Sequence, residues 1–173
     1  MGGQHAAGRT ELEHPETGVG RLILTSWRIA SEHGGARWWW VRVHDSPENL
    51  RESAYRRSQE DREFWKDAVL GCCQPVRPWT DGGELLIWPP NGLAGVIRLS
   101  AENLFTEVIY HELVHAACAV YRMNFARSVD LGTGLEDMAP EEDLAYIYGQ
   151  LAADMDTELK AWWTRLRGAV EGA

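Results

Sequence analysis

Residues 108–117 read Val108-Ile109-Tyr110-His111-Glu112-Leu113-Val114-His115-Ala116-Ala117. Ile109, Leu113, Ala116 and Val120 recur at spacings of 4, 3 and 4, the period of a helix with one apolar stripe. His111 and His115 stand four apart, on one face and one turn above each other, opposite that stripe. Such a helix buries one side in a core while its imidazoles face a cleft. The flanks Val108-Ile109 and Ala116-Ala117 carry no charge, which disfavours a solvated surface. Ser100 is the expected cap, and the helix is expected over 101–123.

The HExxH pattern at His111-Glu112-Leu113-Val114-His115 has a physical reading. Two imidazoles one turn apart can bind one zinc ion, at Zn–N distances of about 2.0–2.1 Å. Glu112 is rotated by about 100° from His111 and can reach a water at the same ion. The metal lowers the pKa of that water, and the carboxylate takes its proton as it attacks a carbonyl. The expected roles are therefore metal ligand for His111 and His115, general base for Glu112, and Zn2+ as cofactor. A hydrolytic zinc site takes three protein ligands and leaves a fourth position open. Cys118 follows His115 by about one turn and is a candidate thiolate, although a buried free thiol is its commoner state.

Working outward, residues 21–29 and 37–43 are rich in β-formers and predict two strands, with Gly34 and Gly35 as the turn. In the Trp38-Trp39-Trp40 run, alternation leaves one face to solvent, so at least one Trp belongs to the core. Ser46 and Pro47 open a charged helix expected to reach about Lys66, with a break near Ser58. Residues 72–78 read as loop. Residues 84–88 and 95–99 read as two strands joined by Pro89-Pro90-Asn91-Gly92. After a loop over 124–139, Pro140 opens a last helix to about Leu166, with Trp162 and Trp163 packed on the body. Strands mixed with helices, then two long helices, predict an α+β fold: a small twisted, mostly antiparallel sheet on the HExxH helix and the C-terminal helix. Residues 1–18 are Gly-rich and polar and read as a loose tail, and 19–173 as a single domain.

Composition narrows the function. The 173 residues are 45% apolar and 25% charged, close to globular averages. Lys plus Arg total 17 against 26 Asp plus Glu, a formal charge of -9. An acidic chain without a basic stripe is a poor ligand for nucleic acid, whose affinity rests on phosphate contacts. No apolar run approaches the ~20 residues of a membrane span. Cys72, Cys73 and Cys118 are odd in number and form no CxxC, so no disulfide framework is expected. The amino terminus has no apolar core of a signal peptide, and a cytoplasmic location is expected.

The segment Val108–Ala117 resembles the extended zinc-peptidase signature of the zincin superfamily, and the region 95–155 resembles small metallopeptidases of phages and bacteria. Cys118 and Tyr121 stand where the metzincin continuation HExxHxxGxxH has Gly and His, which excludes that branch. Glu142-Asp143-Leu144-Ala145-Tyr146-Ile147-Tyr148-Gly149 is similar to the thermolysin-like ExxSDxxG segment of gluzincins, matching at Glu142 and Gly149 with Ala145 for Ser. The resemblance implies Glu142 as third zinc ligand and a peptide or protein as substrate. Tyr146 stands where that family has the Asp that orients a zinc histidine, and Glu107 is a possible substitute. Glu142, Ala145, Gly149 and Ala153 share a helix face whose small residues predict close approach to the HExxH helix, with Leu144, Leu151 and Met155 on the opposite stripe. Glu141, Glu136 and Asp137 remain alternative ligands; Glu141 and Glu142 are equally first-turn acids that a helix dipole favours. Gly132-Thr133-Gly134-Leu135-Glu136 is faintly similar to the GTxxD motif of aspzincins, with Glu at the Asp place.

In the family an edge strand before the HExxH helix pairs with an extended substrate. Gly95–Leu99 stands at that place and is equally readable as an interior strand. Candidate oxyanion donors are Tyr110, Tyr121, Tyr146, Tyr148 and His44. A second reading, from another class, is a zincin-shaped binding or regulatory protein, for example virion-associated, with a structural or inert metal site.

Overall fold

Alternation along Arg37–His44 sorts its side chains between two layers. Trp39, Val41 and Val43 are fully buried on one face, while Trp38, Trp40 and Arg42 are half-buried on the other. The computed structural model describes residues 23–56, 58, 69–80, 86–87, 89–125 and 139–171, with backbone alone at 79–80, 86–87 and 139–140. The expected tail over 1–18, the charged stretch beyond Ser58 and the segment 126–138 with Glu136 and Asp137 lie outside the described residues.

The elements run β1 (Ile23–Ser31), β2 (Arg37–His44), α1 (Pro47–Tyr55), β3 (Gly71–Pro75), β4 (Trp79–Thr80), β5 (Leu86–Ile87), β6 (Leu93–Ser100), α2 (Thr106–Phe125) and α3 (Ala139–Glu171). The fold is α+β. One sheet has the order β1-β2-β6-β3, and β4 and β5 form a separate ribbon. β1 pairs antiparallel with β2, β2 parallel with β6, and β6 antiparallel with β3, so the sheet is mixed.

Helices α2 and α3 cover one face of the sheet. Trp39, Val41, Ile97 and Leu99 meet Leu113, Ala116 and Val120 of α2 and Ile147, Leu151 and Met155 of α3 in one core. Each Val, Leu, Ile or Met among them, once buried, contributes about 1.5–3 kcal/mol. At one end of the other face lies α1, capped by Ser46, whose hydroxyl accepts from Asn49 N. There Arg98 is fully buried and donates to Ser53 Oγ at 3.1 Å and to Gln74 Oε1. Trp38 and Trp40 lie edge to face further along that face, with the Arg28 guanidinium 4.0 Å from the Trp38 ring centre.

The two sheet edges differ. Along β1, Asp154 accepts from Ala30 N at 2.9 Å, and Gln150 accepts from Glu32 N at 3.0 Å and Ser31 Oγ at 2.7 Å. Side chains of α3 thus occupy donors that a foreign strand could use. The β3 edge pairs only with β6 among the described residues. Val76 N donates to Ala94 O, so amides of even number face β6 and those of odd number face away. Pro75 falls on the outward parity, where a missing N–H costs no ladder bond.

Several expectations are corrected. Residues 72–75, expected as loop, belong to the edge strand Gly71–Pro75, because β6 supplies a partner that local propensity does not encode. Gly95–Leu99 belongs to β6, an interior strand between β2 and β3. The turn at 89–92 exists, closed by Gly92 N to Pro89 O at 3.3 Å, but Leu86–Ile87 pairs with Trp79–Thr80, so the expected hairpin with β6 does not form. Ser100 caps a single 3-10 turn over Ala101–Asn103, and α2 begins only at Thr106. Trp162 is buried as expected, whereas Trp163 is 47% exposed. Among the described residues, no helix is long and apolar enough to cross a membrane.

Candidate metal and catalytic site

Helix α2 meets the sheet with Ile109, Leu113, Ala116 and Val120, all buried, and this sets the direction of everything else on it. Opposite that stripe, His111 and His115 are exposed. Their Nε2 atoms lie 3.1 Å apart, with ring centroids 4.7 Å apart in an edge-to-face arrangement. Both nitrogens therefore converge on one point outside the helix. Two nitrogens bound to one tetrahedral zinc at about 2.0–2.1 Å would stand roughly 3.3 Å apart, so this pair fits a shared ion.

Glu112 takes the neighbouring direction. It is only 7% exposed, lies under β3, and its carboxylate accepts from the backbone N–H of Cys73. Burial raises its pKa above the usual carboxylate value, while the nearby His111 and the Cys73 amide pull it back down. A carboxylate so placed keeps some basicity, which suits proton transfer. The strand approaches so closely because residue 71 is glycine. A methyl group there would stand 2.8 Å from Glu112 Cγ and 2.9 Å from Val108 Cγ1.

On the other side of α2, a cleft of about 340 Å3 separates it from α3. Its lining is Val114 and Ala117 from α2 and Glu141, Leu144, Ala145 and Tyr148 from α3. Val114 immediately precedes His115, so this cleft flanks the imidazole pair; its surface is almost wholly apolar, and Glu141 contributes to it through carbon atoms. Glu142 is the next residue and points about 100° further round the helix, toward solvent. Among the described residues, no third His, Cys, Asp or Glu groups with another two into a metal cage.

The close-packed face expected on α3 is corrected. Ala145, Gly149 and Ala153 are exposed, and a methyl group on Gly149 would meet nothing within 4 Å. The buried stripe runs instead through Ile147, Leu151, Met155, Leu159 and Trp162, spaced 4, 4, 4 and 3. Large apolar side chains won that face because the sheet and α2 offered them a core. Glu107, one turn before His111, is exposed.

Among the candidate oxyanion donors, Tyr110 OH is engaged with Asp156 Oδ1 at 3.3 Å, and that carboxylate raises its pKa. Tyr121 is buried against Phe125, and Tyr146 stacks on His33. His44 is fully buried at the end of β2. Tyr148 lines the cleft. Cys118 is half-buried and free, and burial raises its thiol pKa, as it does for Cys72 and Cys73. Sequence reasoning missed the contribution of β3, namely Gly71 and the Cys73 amide; the one available signal was Pro75 at the outward parity.

No family model matches the chain, and no curated protein or solved structure matches it either.

Proposed function

We propose that this chain is a zinc-dependent metallohydrolase, most simply a peptidase. The observation that carries the reading is the convergence of His111 Nε2 and His115 Nε2, 3.1 Å apart on an exposed helix face, beside the buried carboxylate of Glu112. His111 and His115 would hold the ion together with a carboxylate from the first turn of α3. Glu142 is the acid that the zincin resemblance supplies, and Glu141 is the one that lines the cleft. Zinc in such a site supplies Lewis acidity, which makes water a nucleophile near neutral pH.

The chain's own groups do the rest. Glu112 accepts the proton of the attacking water at its carboxylate and later returns it to the leaving amine. The Cys73 amide favours the charged form of that carboxylate. An extended peptide can reach the β3 edge through the outward carbonyls of Gly71, Cys73 and Pro75 and the Gly71 amide, the Cys73 amide being turned to Glu112.

Metal analysis of protein purified without added metal tests this. Wild type should carry about one zinc per chain, and His111→Ala much less. Glu142→Gln and Glu141→Gln, compared for zinc content, identify the third ligand. Glu112→Gln should keep zinc and lose chelator-sensitive cleavage of casein or a peptide library. Equal zinc in wild type and His111→Ala ends the proposal.

A further inference from the structure

The first turn of α3 is attached to the body by little of its own. Glu141 and Glu142 are exposed, Leu144 is half-buried, and Ile147 is the first fully buried residue among the described side chains of the helix. A helix end without buried side chains frays unless something else holds it. In this protein that something is His33, in the turn between β1 and β2. His33 Nε2 lies 2.6 Å from Asp143 Oδ1, and with a carboxylate as acceptor the ring donates from that nitrogen. Its ring stacks on Tyr146, with centroids 5.3 Å apart and planes at 24°. Asp143 directly follows Glu142, and Tyr146 stands about one turn further along the helix.

The turn that carries His33 is itself fastened from α2. Asn124 Nδ2 donates to His33 O and to Gly35 O, both at 2.9 Å. The Phe125 ring lies 6.1 Å from the His33 ring and fills the space where a side chain at Gly34 would go. Gly34 has φ of 69° and Gly35 of 139°, so the turn holds a shape that other residues rarely adopt. His33 is thus a rigid post set on the end of α2, and α3 begins against it.

We infer that His33 is a positioning residue: through Asp143 and Tyr146 it pins the first turn of α3, and with it the carboxylate that completes the metal site. The inference rests on the proposed zinc reading. It assigns His33 no contact with metal or substrate. The bond to Asp143 fixes the rotation of α3 about its axis, and that rotation decides where Glu141 and Glu142 point.

The test compares zinc affinity by chelator competition, and the d–d absorption of the Co2+-loaded full chain, across four variants. His33→Ala should weaken zinc binding about tenfold or more and alter the cobalt spectrum. His33→Gln, whose amide can still donate to Asp143, should restore most of both. Leu50→Ala, in the small separate core that α1 forms with Cys72 on the other face of the sheet, should lower the melting temperature yet leave the cobalt spectrum as in wild type. If His33→Ala fails to fold, Asp143→Ala, which removes the acceptor, reads the same link from the helix side. Wild-type affinity and spectrum in His33→Ala, or in Asp143→Ala where that variant stands in, overturn the inference alone. So does a Leu50→Ala variant that matches His33→Ala in both readouts. A wild type that binds no zinc overturns the inference together with the reading beneath it.

Discussion

Gly71 of β3 lies against Glu112 of α2 so closely that an added methyl group would come within 2.8 Å of its Cγ and 2.9 Å of its Oε1. The edge strand and the proposed general base are therefore one mechanical unit. Gly71→Ala must push either β3 or the carboxylate aside. Overpacking of this kind costs about 1–3 kcal/mol. Displacement of the carboxylate should lower kcat/KM about 10- to 100-fold. Zinc content should stay at the wild-type level, since neither imidazole moves. Steady-state kinetics beside metal analysis checks this, and unchanged kinetics would show that Glu112 has no fixed task.

Gly149→Ala should stabilise the chain by about 0.5–1 kcal/mol. The position is helical and exposed, with nothing within 4 Å of an added Cβ. Had the small residues of α3 packed on α2, the same change would destabilise. Urea unfolding decides between the two signs.

Gln150→Ala should cost about 1–3 kcal/mol, because Ser31 Oγ and Glu32 N both lose their acceptor. It also uncovers the Glu32 amide, just past the end of the β1 edge. Size-exclusion chromatography should show concentration-dependent association that wild type lacks. Leu151→Ala, in the core beneath, should cost about 2–5 kcal/mol without such association.

Cys72 gives a pH dependence with a definite sign. Burial pushes its thiol up to about 12 from an ordinary value of 9.0, with Glu112 adding to the rise and Arg98 opposing it. The folded value exceeds the unfolded one. The protonated thiol therefore contributes stability fully below about pH 9, and that contribution is lost as pH rises through about 12. Cys72→Ala should flatten the alkaline limb of a stability–pH curve above pH 9. In the folded wild type at pH 8, iodoacetamide should modify Cys72 far more slowly than after unfolding, as read by peptide mass spectrometry.

The amino-acid sequence by itself determined the direction of α2. Ile109, Leu113, Ala116 and Val120 lie on one stripe, so burying them turns His111 and His115 outward whatever the partner. It likewise determined that Trp39 is core while Trp38 and Trp40 share the other face, because strand alternation has a period of two. These are local periodicities, readable without knowing what packs where. Tertiary structure decided what no local period encodes. Residues 71–75 became an edge strand only because β6 lay beside them, and only this put a backbone amide and Gly71 on Glu112. The face of α3 was decided the same way: two stripes were available, and the larger side chains took the core while Ala145 and Gly149 turned to water. Pairing and docking depend on contacts between residues far apart in the chain, and their free energy is set by the surface that each partner offers.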